Sequence, residues 1–170
     1  MNIAHPTWVF GYGSLIWKQD FPFLESRQGL ISGWARRFWQ GSHDHRGVEH
    51  DPGRVVTLVE APGEQCAGHA FLVEPGVFEH LDYREKNGYL RVAVDIAFED
   101  KTVNGVVYRA PENNRAFLGR ATPQDMAAQI KRCTGPSGSN RDYVLRLARA
   151  LRKMGVADPH VFEVESWVLR

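Results

Sequence analysis

Leu90-Arg91-Val92-Ala93-Val94-Asp95-Ile96-Ala97-Phe98 alternates large apolar residues with polar or small ones. A period of two puts Leu90, Val92, Val94, Ile96 and Phe98 on one face, which predicts a strand buried on that side. Asp100-Lys101-Thr102 turns the chain, and Val103 to Ala110 reads as the hairpin partner. A hairpin in mid-chain excludes an all-helical fold. Immediately upstream, Val77, Phe78 and Leu81 recur at helical spacing, so a short helix is expected from Val77 to Tyr83 or Arg84. Further back, Cys66 to Val73 and Val55 to Val59 read as strands, with a turn at Ala61-Pro62-Gly63-Glu64 that would pair them antiparallel. Leu30 to Gln40 is another extended segment, and Trp8-Val9-Phe10 is a buried strand stopped by Gly11-Tyr12-Gly13-Ser14.

Helices are expected late in the chain. Thr122-Pro123-Gln124-Asp125 offers a capping hydroxyl, a proline at the first helical position and an acid in the first turn. Met126, Ala127, Ile130 and Cys133 would line that helix's buried face. Asn140 is placed to cap a second helix, whose stripe is Val144, Leu147, Ala148, Leu151 and Met154 and whose stop is Gly155. Val161 to Leu169, rich in valine and aromatics, reads as a terminal strand. These elements predict an α+β fold with a mainly antiparallel sheet, in a single domain over residues 1–170.

Composition narrows the function. The 170 residues carry 21 Lys+Arg against 20 Asp+Glu, a formal charge of +1, which offers no global field for nucleic acid. No apolar run approaches the roughly 18–20 residues of a membrane span. Met1 to Thr7 lacks the charged and apolar regions of a secretion signal. Cys66 and Cys133 are far apart and make no disulfide framework, so a reduced, cytoplasmic protein is expected.

Several segments can carry chemistry. Gly11-Tyr12-Gly13-Ser14-Leu15 follows a buried strand, and its glycines let the backbone turn so that N–H groups converge on an anion or a carbonyl oxygen. The bland alternative is a turn with no ligand. The segment is neither a dinucleotide fingerprint nor a P-loop, and it lacks the G-x-S-x-G elbow of serine hydrolases. Leu81-Asp82-Tyr83-Arg84-Glu85-Lys86-Asn87-Gly88-Tyr89 crowds charge between the helix and the central strand. Drawn inward there, Glu85 would suit proton transfer; otherwise the segment is a solvated helix end. His43, His45 and His50 do not follow a metal-site spacing, and Cys66 has no identifiable activating histidine. Arg36-Arg37-Phe38-Trp39 interleaves bases with aromatics as a single-strand RNA platform would, but residues 27–54 hold five arginines against three acids, a weak excess. Alternation points at most one of Arg36 and Arg37 inward.

Taken in order, Trp8-Val-Phe-Gly-Tyr-Gly-Ser-Leu-Ile-Trp17, Arg37-Phe-Trp-Gln-Gly-Ser-His-Asp-His-Arg-Gly47 and Gly53-Arg-Val-Val-Thr-Leu-Val59 closely resemble the ChaC family of glutathione-specific γ-glutamylcyclotransferases. Tyr83-Arg-Glu-Lys-Asn-Gly-Tyr89 resembles the family's catalytic-glutamate motif, and Gly135-Pro-Ser-Gly-Ser-Asn140 with Tyr143 its C-terminal signature. Asn113-Asn114-Arg115 departs from the family's Asn-Pro. The resemblance implies a small mixed, mainly antiparallel β-barrel with flanking helices, the γ-glutamylcyclotransferase-like fold. It implies cleavage of glutathione to 5-oxoproline and cysteinylglycine, with no metal or organic cofactor; the charge balance and the lack of a membrane-length apolar run add the expectation of no nucleic-acid or membrane partner. By position, Gly11, Tyr12, Gly13, Ser14, Leu15 and Ile16 match the substrate-binding loop, Glu85 the catalytic acid/base, and Tyr143 a substrate-contacting tyrosine. The rival expectations are the same cyclisation on another γ-glutamyl amino acid or a γ-glutamylamine, and a non-catalytic binding module of the same fold.

Overall fold

The computed structural model describes residues 3–170; the N-terminal reading on Met1 and Asn2 lies outside them. The chain forms two compact units, residues 1–35 with 58–111 and residues 36–57 with 112–170.

Five strands form a closed barrel of order β1-β3-β2-β4-β5: β1 (Thr7–Gly11), β2 (Glu25–Ser42), β3 (Gly53–Val73), β4 (Leu90–Ala97) and β5 (Thr102–Arg109); residues 36–42 of β2 and 53–57 of β3 belong to the second unit and the rest to the first. It is mixed: β1 pairs antiparallel with β3 but parallel with β5. The expected central hairpin is present, with Leu90↔Arg109 through Ala97↔Thr102 in register. Val92, Val94 and Ile96 are buried to varying degrees, whereas Leu90, at the strand's start, is 60% exposed. The turn expected at Ala61-Pro62-Gly63-Glu64 is absent. Val55–Val59 and Cys66–Val73 are parts of one strand, β3, and not an antiparallel pair. Gly63 sits inside it at φ +86°, a left-handed conformation that lets a strand bend without ending.

Between β3 and β4 runs α1 (Val77–Arg84), close to its expected span. Val77, Phe78 and Leu81 pack on Val9, Phe71, Val106 and Tyr108 from three strands and on Leu15. Those strand residues therefore face α1. The residues that alternate with them, such as Trp8, edge-on to Phe98 at 4.8 Å between centroids, face the other way.

The second unit holds three helices. Thr122 caps α2 (Pro123–Arg132), its hydroxyl accepting from the Asp125 amide as the sequence predicts. The short strands β6 (Thr134–Gly135) and β7 (Gly138–Ser139) lead into α3 (Asn140–Lys153). Ser139, not Asn140, is the cap of α3, accepting from the Asp142 amide. Asn140 is fully buried, and its amide group accepts from the Arg54 N–H (2.7 Å) and donates to the Arg54 carbonyl (2.8 Å), as a neighbouring strand would. The C-terminal segment corrects a second expectation. Val161–Leu169 is not a strand; α4 (Pro159–Val168) occupies it. Asp158 accepts from the Val161 amide and Pro159 takes a first-turn position, while Val161, Val164, Glu165 and Val168 fall on one buried helical face. Capping and packing override the strand propensity of valine and aromatics. Both α2 and α3 pack on α4. No helix among the described residues is long and apolar enough to cross a membrane.

Candidate active site

The barrel unit brings together two of the segments singled out from the sequence. β1 ends at Gly11, where a Cβ would lie 2.8 Å from the Leu15 Cβ and 3.1 Å from the His69 carbonyl. Only glycine lets the chain fold back so closely. Ser14–Ile16 then forms a single 3-10 turn, closed by the Ile16 amide on the Gly13 carbonyl (2.9 Å). The first amides of such a turn have no partner within it and point outward from its start. Leu15 is buried in the apolar cluster beneath α1, so its side chain anchors the turn. The Tyr12 hydroxyl donates to the Tyr108 carbonyl and pins the same segment to β5.

Glu85 is the C-cap residue of α1, its amide bonded to the Leu81 carbonyl at 3.0 Å. Its side chain is only 17% exposed. The helix end thus draws this carboxylate in and does not extend it into solvent. Next to it, Arg84 ties the helix end to the turn. Its guanidinium donates to Ser14 Oγ (3.0 Å), to the Lys18 carbonyl (2.8 Å) and to Asp20 (2.6 Å), and its Nε lies 3.7 Å from Glu85 Oε1. The turn and the carboxylate therefore meet at one guanidinium. Burial pushes the Asp20 carboxyl up, but Arg84 and His80 together hold it below the usual carboxylate range.

A second set of polar groups supports the α1 end. Asp82 accepts from the Tyr108 hydroxyl (2.6 Å) and lies 3.1 Å from Arg91 Nε, across the Arg91↔Tyr108 register pair. Burial, then the Asp82 bond and charge, raise the Tyr108 phenol above its ordinary range, with Glu85 adding in the same direction. Tyr108 is thus a neutral donor held within the field of Glu85. Arg84, Asp82 and Tyr108 were missed from the sequence. The signal for Arg84 is its place as the last residue of α1, where cations collect; Tyr108 is marked only by its register opposite Arg91.

The other candidates lie in the helical unit. Tyr143 is buried on α3, its hydroxyl accepting from the Val56 amide (3.3 Å), with the Arg46 guanidinium 5.7 Å from its ring centroid. Of the two neighbouring arginines, Arg36 is the buried one, paired with Asp158 at 2.9 Å, and Arg37 donates to the Arg36 carbonyl. His45 bonds Ser137 at 2.9 Å. Among the described residues, no group of three His, Cys, Asp or Glu side chains is arranged to hold a metal. Asn114, in the segment that departs from the expected Asn-Pro, makes a reciprocal amide pair with Gln40 at 3.0 Å.

The mixed five-strand barrel with its helices is the architecture of the γ-glutamylcyclotransferase-like proteins. A yeast γ-glutamylcyclotransferase specific to glutathione superposes with a TM-score of 0.89 at 28% identity, covering 98% of this chain and 96% of that one. The ChaC-like protein family matches residues 7–170, and the chain belongs to that family. It is 43% identical to glutathione-specific γ-glutamylcyclotransferase 1 of Danio rerio, over 95% of this chain and 88% of the relative. It is 44% identical to γ-glutamylcyclotransferase 2-3 of Arabidopsis thaliana, over 95% and 87%.

Proposed function

We propose that this chain cleaves glutathione to 5-oxoproline and cysteinylglycine, with Glu85 as general base and then acid and the Gly11–Ile16 turn as the substrate-binding loop. The observation that carries this reading is the convergence of turn and carboxylate on the Arg84 guanidinium. The substrate's α-amine attacks its own γ-carbonyl, so a carbon–nitrogen bond forms in a five-membered ring and the bond to the cysteinyl nitrogen breaks. Nucleophile and electrophile share one chain, and the protein's first task is to hold the folded rotamer. Orientation of that kind is worth roughly 7–11 kcal/mol.

The free α-amine has a reference pKa of roughly 8, so its proton must be removed for attack. Glu85 accepts that proton and returns it to the departing cysteinyl amine, then takes the second proton from the ring nitrogen and passes it to the released amine, so protons balance and no water is consumed. The outward amides at the start of the 3-10 turn suit the carbonyl oxygen as it gains negative charge. Ser14, already engaged by Arg84, positions and does not attack. Tyr143 enters as a proposed substrate contact on the strength of the resemblance alone; the reading of residues 1–170 as one domain is proposed from the chain's length and order of elements.

The purified protein should release 5-oxoproline and cysteinylglycine in equal amounts from glutathione. It should act on glutathione faster than on γ-glutamylalanine or γ-glutamyl-lysine. No release from any of the three would leave a binding module; a faster rate on either alternative would reassign the substrate.

A further inference from the structure

Arg109, the last residue of β5, is a guanidinium with no counter-ion among the described residues. Its Nε is buried with no hydrogen-bond partner, and among the described residues it makes no ion pair. It lies over Trp34 on β2, whose ring centroid is 4.8 Å from the guanidinium carbon. A cation on an indole face keeps its edges available, and those edges are where a planar fork of N–H donors takes a carboxylate. A buried donor left without a partner is costly, and an acceptor held against the same guanidinium would offset part of that cost.

Topology says where this donor stands. β1 and β5 run parallel with Trp8↔Gly105 and Val9↔Val106, and carrying that register on sets Tyr12 opposite Arg109. Arg109 also faces Leu90, the residue at which the segment from Glu85 enters β4. It therefore lies at the end of the barrel where both the Gly11–Ile16 turn and Glu85 arrive. Strand alternation sends its side chain to the face opposite Tyr108, away from α1.

We propose that Arg109, stacked on Trp34, is a subsite for the glycyl carboxylate of the substrate's leaving peptide. The proposal rests on the reading of the chain as a γ-glutamyl peptide cyclotransferase. In that reading the α-amino end and the γ-carbonyl belong to Glu85 and the turn, and the second carboxylate trails by two residues of extended chain, roughly 7 Å. A fixed cation that takes this carboxylate would measure the length of the leaving group and so select a dipeptide.

Glutathione and its glycyl amide are compared as substrates of wild type, Arg109→Leu and Arg109→Lys, with circular dichroism to establish folding. The wild type should prefer the free carboxylate, and Arg109→Leu should lose roughly 10- to 100-fold in kcat/KM on glutathione, mainly through KM. Its value on the amide should change far less, so that the preference collapses; Arg109→Lys should recover part of it. Equal losses on both substrates, or a preference that survives in folded Arg109→Leu, overturn the subsite. If Arg109→Leu does not fold, the Lys variant alone decides, because it keeps the charge and loses the fork. Calorimetric binding of S-methylglutathione against its glycyl amide tests the same difference without turnover, so a protein inactive on glutathione would still report on Arg109.

Discussion

Arg84 and Ser14, seventy residues apart in sequence, are joined by a 3.0 Å bond from the guanidinium to the serine hydroxyl. The same side chain holds the Lys18 carbonyl and Asp20 and reaches Glu85, and it is only 11% exposed. A four-way contact of this kind makes the backbone of the turn and the end of α1 a single unit: neither moves without breaking charge-assisted bonds. Asp20 is shared in turn with His80 of α1 at 3.2 Å, which closes the loop back onto the helix.

Arg84 is accordingly a positioning residue for the proposed chemistry, and its replacement should cost rate more than affinity. Arg84→Lys keeps the charge but cannot reach four partners from one ammonium. A displacement of about 1 Å between reacting groups can cost about 10²-fold. We expect kcat to fall by about that factor in Arg84→Lys with KM changed little. Arg84→Ala should regain activity when guanidinium is added at a concentration that leaves wild type unaffected. A purely architectural role predicts a lowered thermal midpoint and no such recovery.

Glu85 and Ser14 separate the proton carrier from the positioning donor. Glu85→Gln preserves the shape and burial of the side chain but cannot accept a proton, so turnover should drop by about 10²–10⁴ while glutathione still binds. Ser14→Ala removes one of several bonds on Arg84 and should retain more activity than Glu85→Gln. Measured side by side on 5-oxoproline release, the reverse order would transfer the chemical role to the serine.

What the sequence revealed depends on how local the cause was. The β4–β5 hairpin, the Thr122 cap and the α3 stripe with Gly155 beyond it each follow from a few adjacent residues and are present, save that Leu90 is exposed and Met154 caps α3 half-buried instead of joining its stripe. α4 was misread because Val161, Phe162, Val164 and Trp167 favour strands in isolation, whereas the deciding groups are the Asp158 cap and a buried face supplied by α2 and α3. The same contrast holds at the site. A glycine turn and an acid at a helix end are written into short motifs. The Arg84 bridge is not, because it depends on how the barrel brings residues 14–20 under the end of α1.

Asn140 tests the helical unit separately from the chemistry. Its side chain satisfies both the N–H and the carbonyl of Arg54 in a site with no solvent access. Asn140→Ala strands two buried backbone groups, each worth about 1–3 kcal/mol. Asn140→Asp keeps the acceptor but loses the donor. Urea denaturation should order stability as wild type, then Asp, then Ala at neutral pH, and equal midpoints for all three would show that water replaces the side chain at no cost.

His160 gives the fold an acid limit. Its Nε2 accepts from the Phe38 amide at 3.0 Å, which requires the neutral ring, and the imidazole stacks on Phe38 at 5.6 Å between centroids. Burial foremost, then the positive charge of Arg37 with a lesser contribution from Arg36, hold it down to about 4 against the ordinary 6.5, although Asp158 pulls the other way. Between those two values the unfolded chain binds a proton that the folded one refuses. The contribution is therefore complete above about pH 6.5, declines as pH falls toward 4, and is flat below. At about 1.4 kcal/mol per unit, that window is worth about 3–4 kcal/mol. His160→Gln keeps an acceptor for Phe38 and cannot titrate. Its stability should be lower than wild type at pH 7, because the stacked ring is gone, yet change much less between pH 6.5 and 4. Parallel pH profiles for the two proteins would assign the acid sensitivity to other groups.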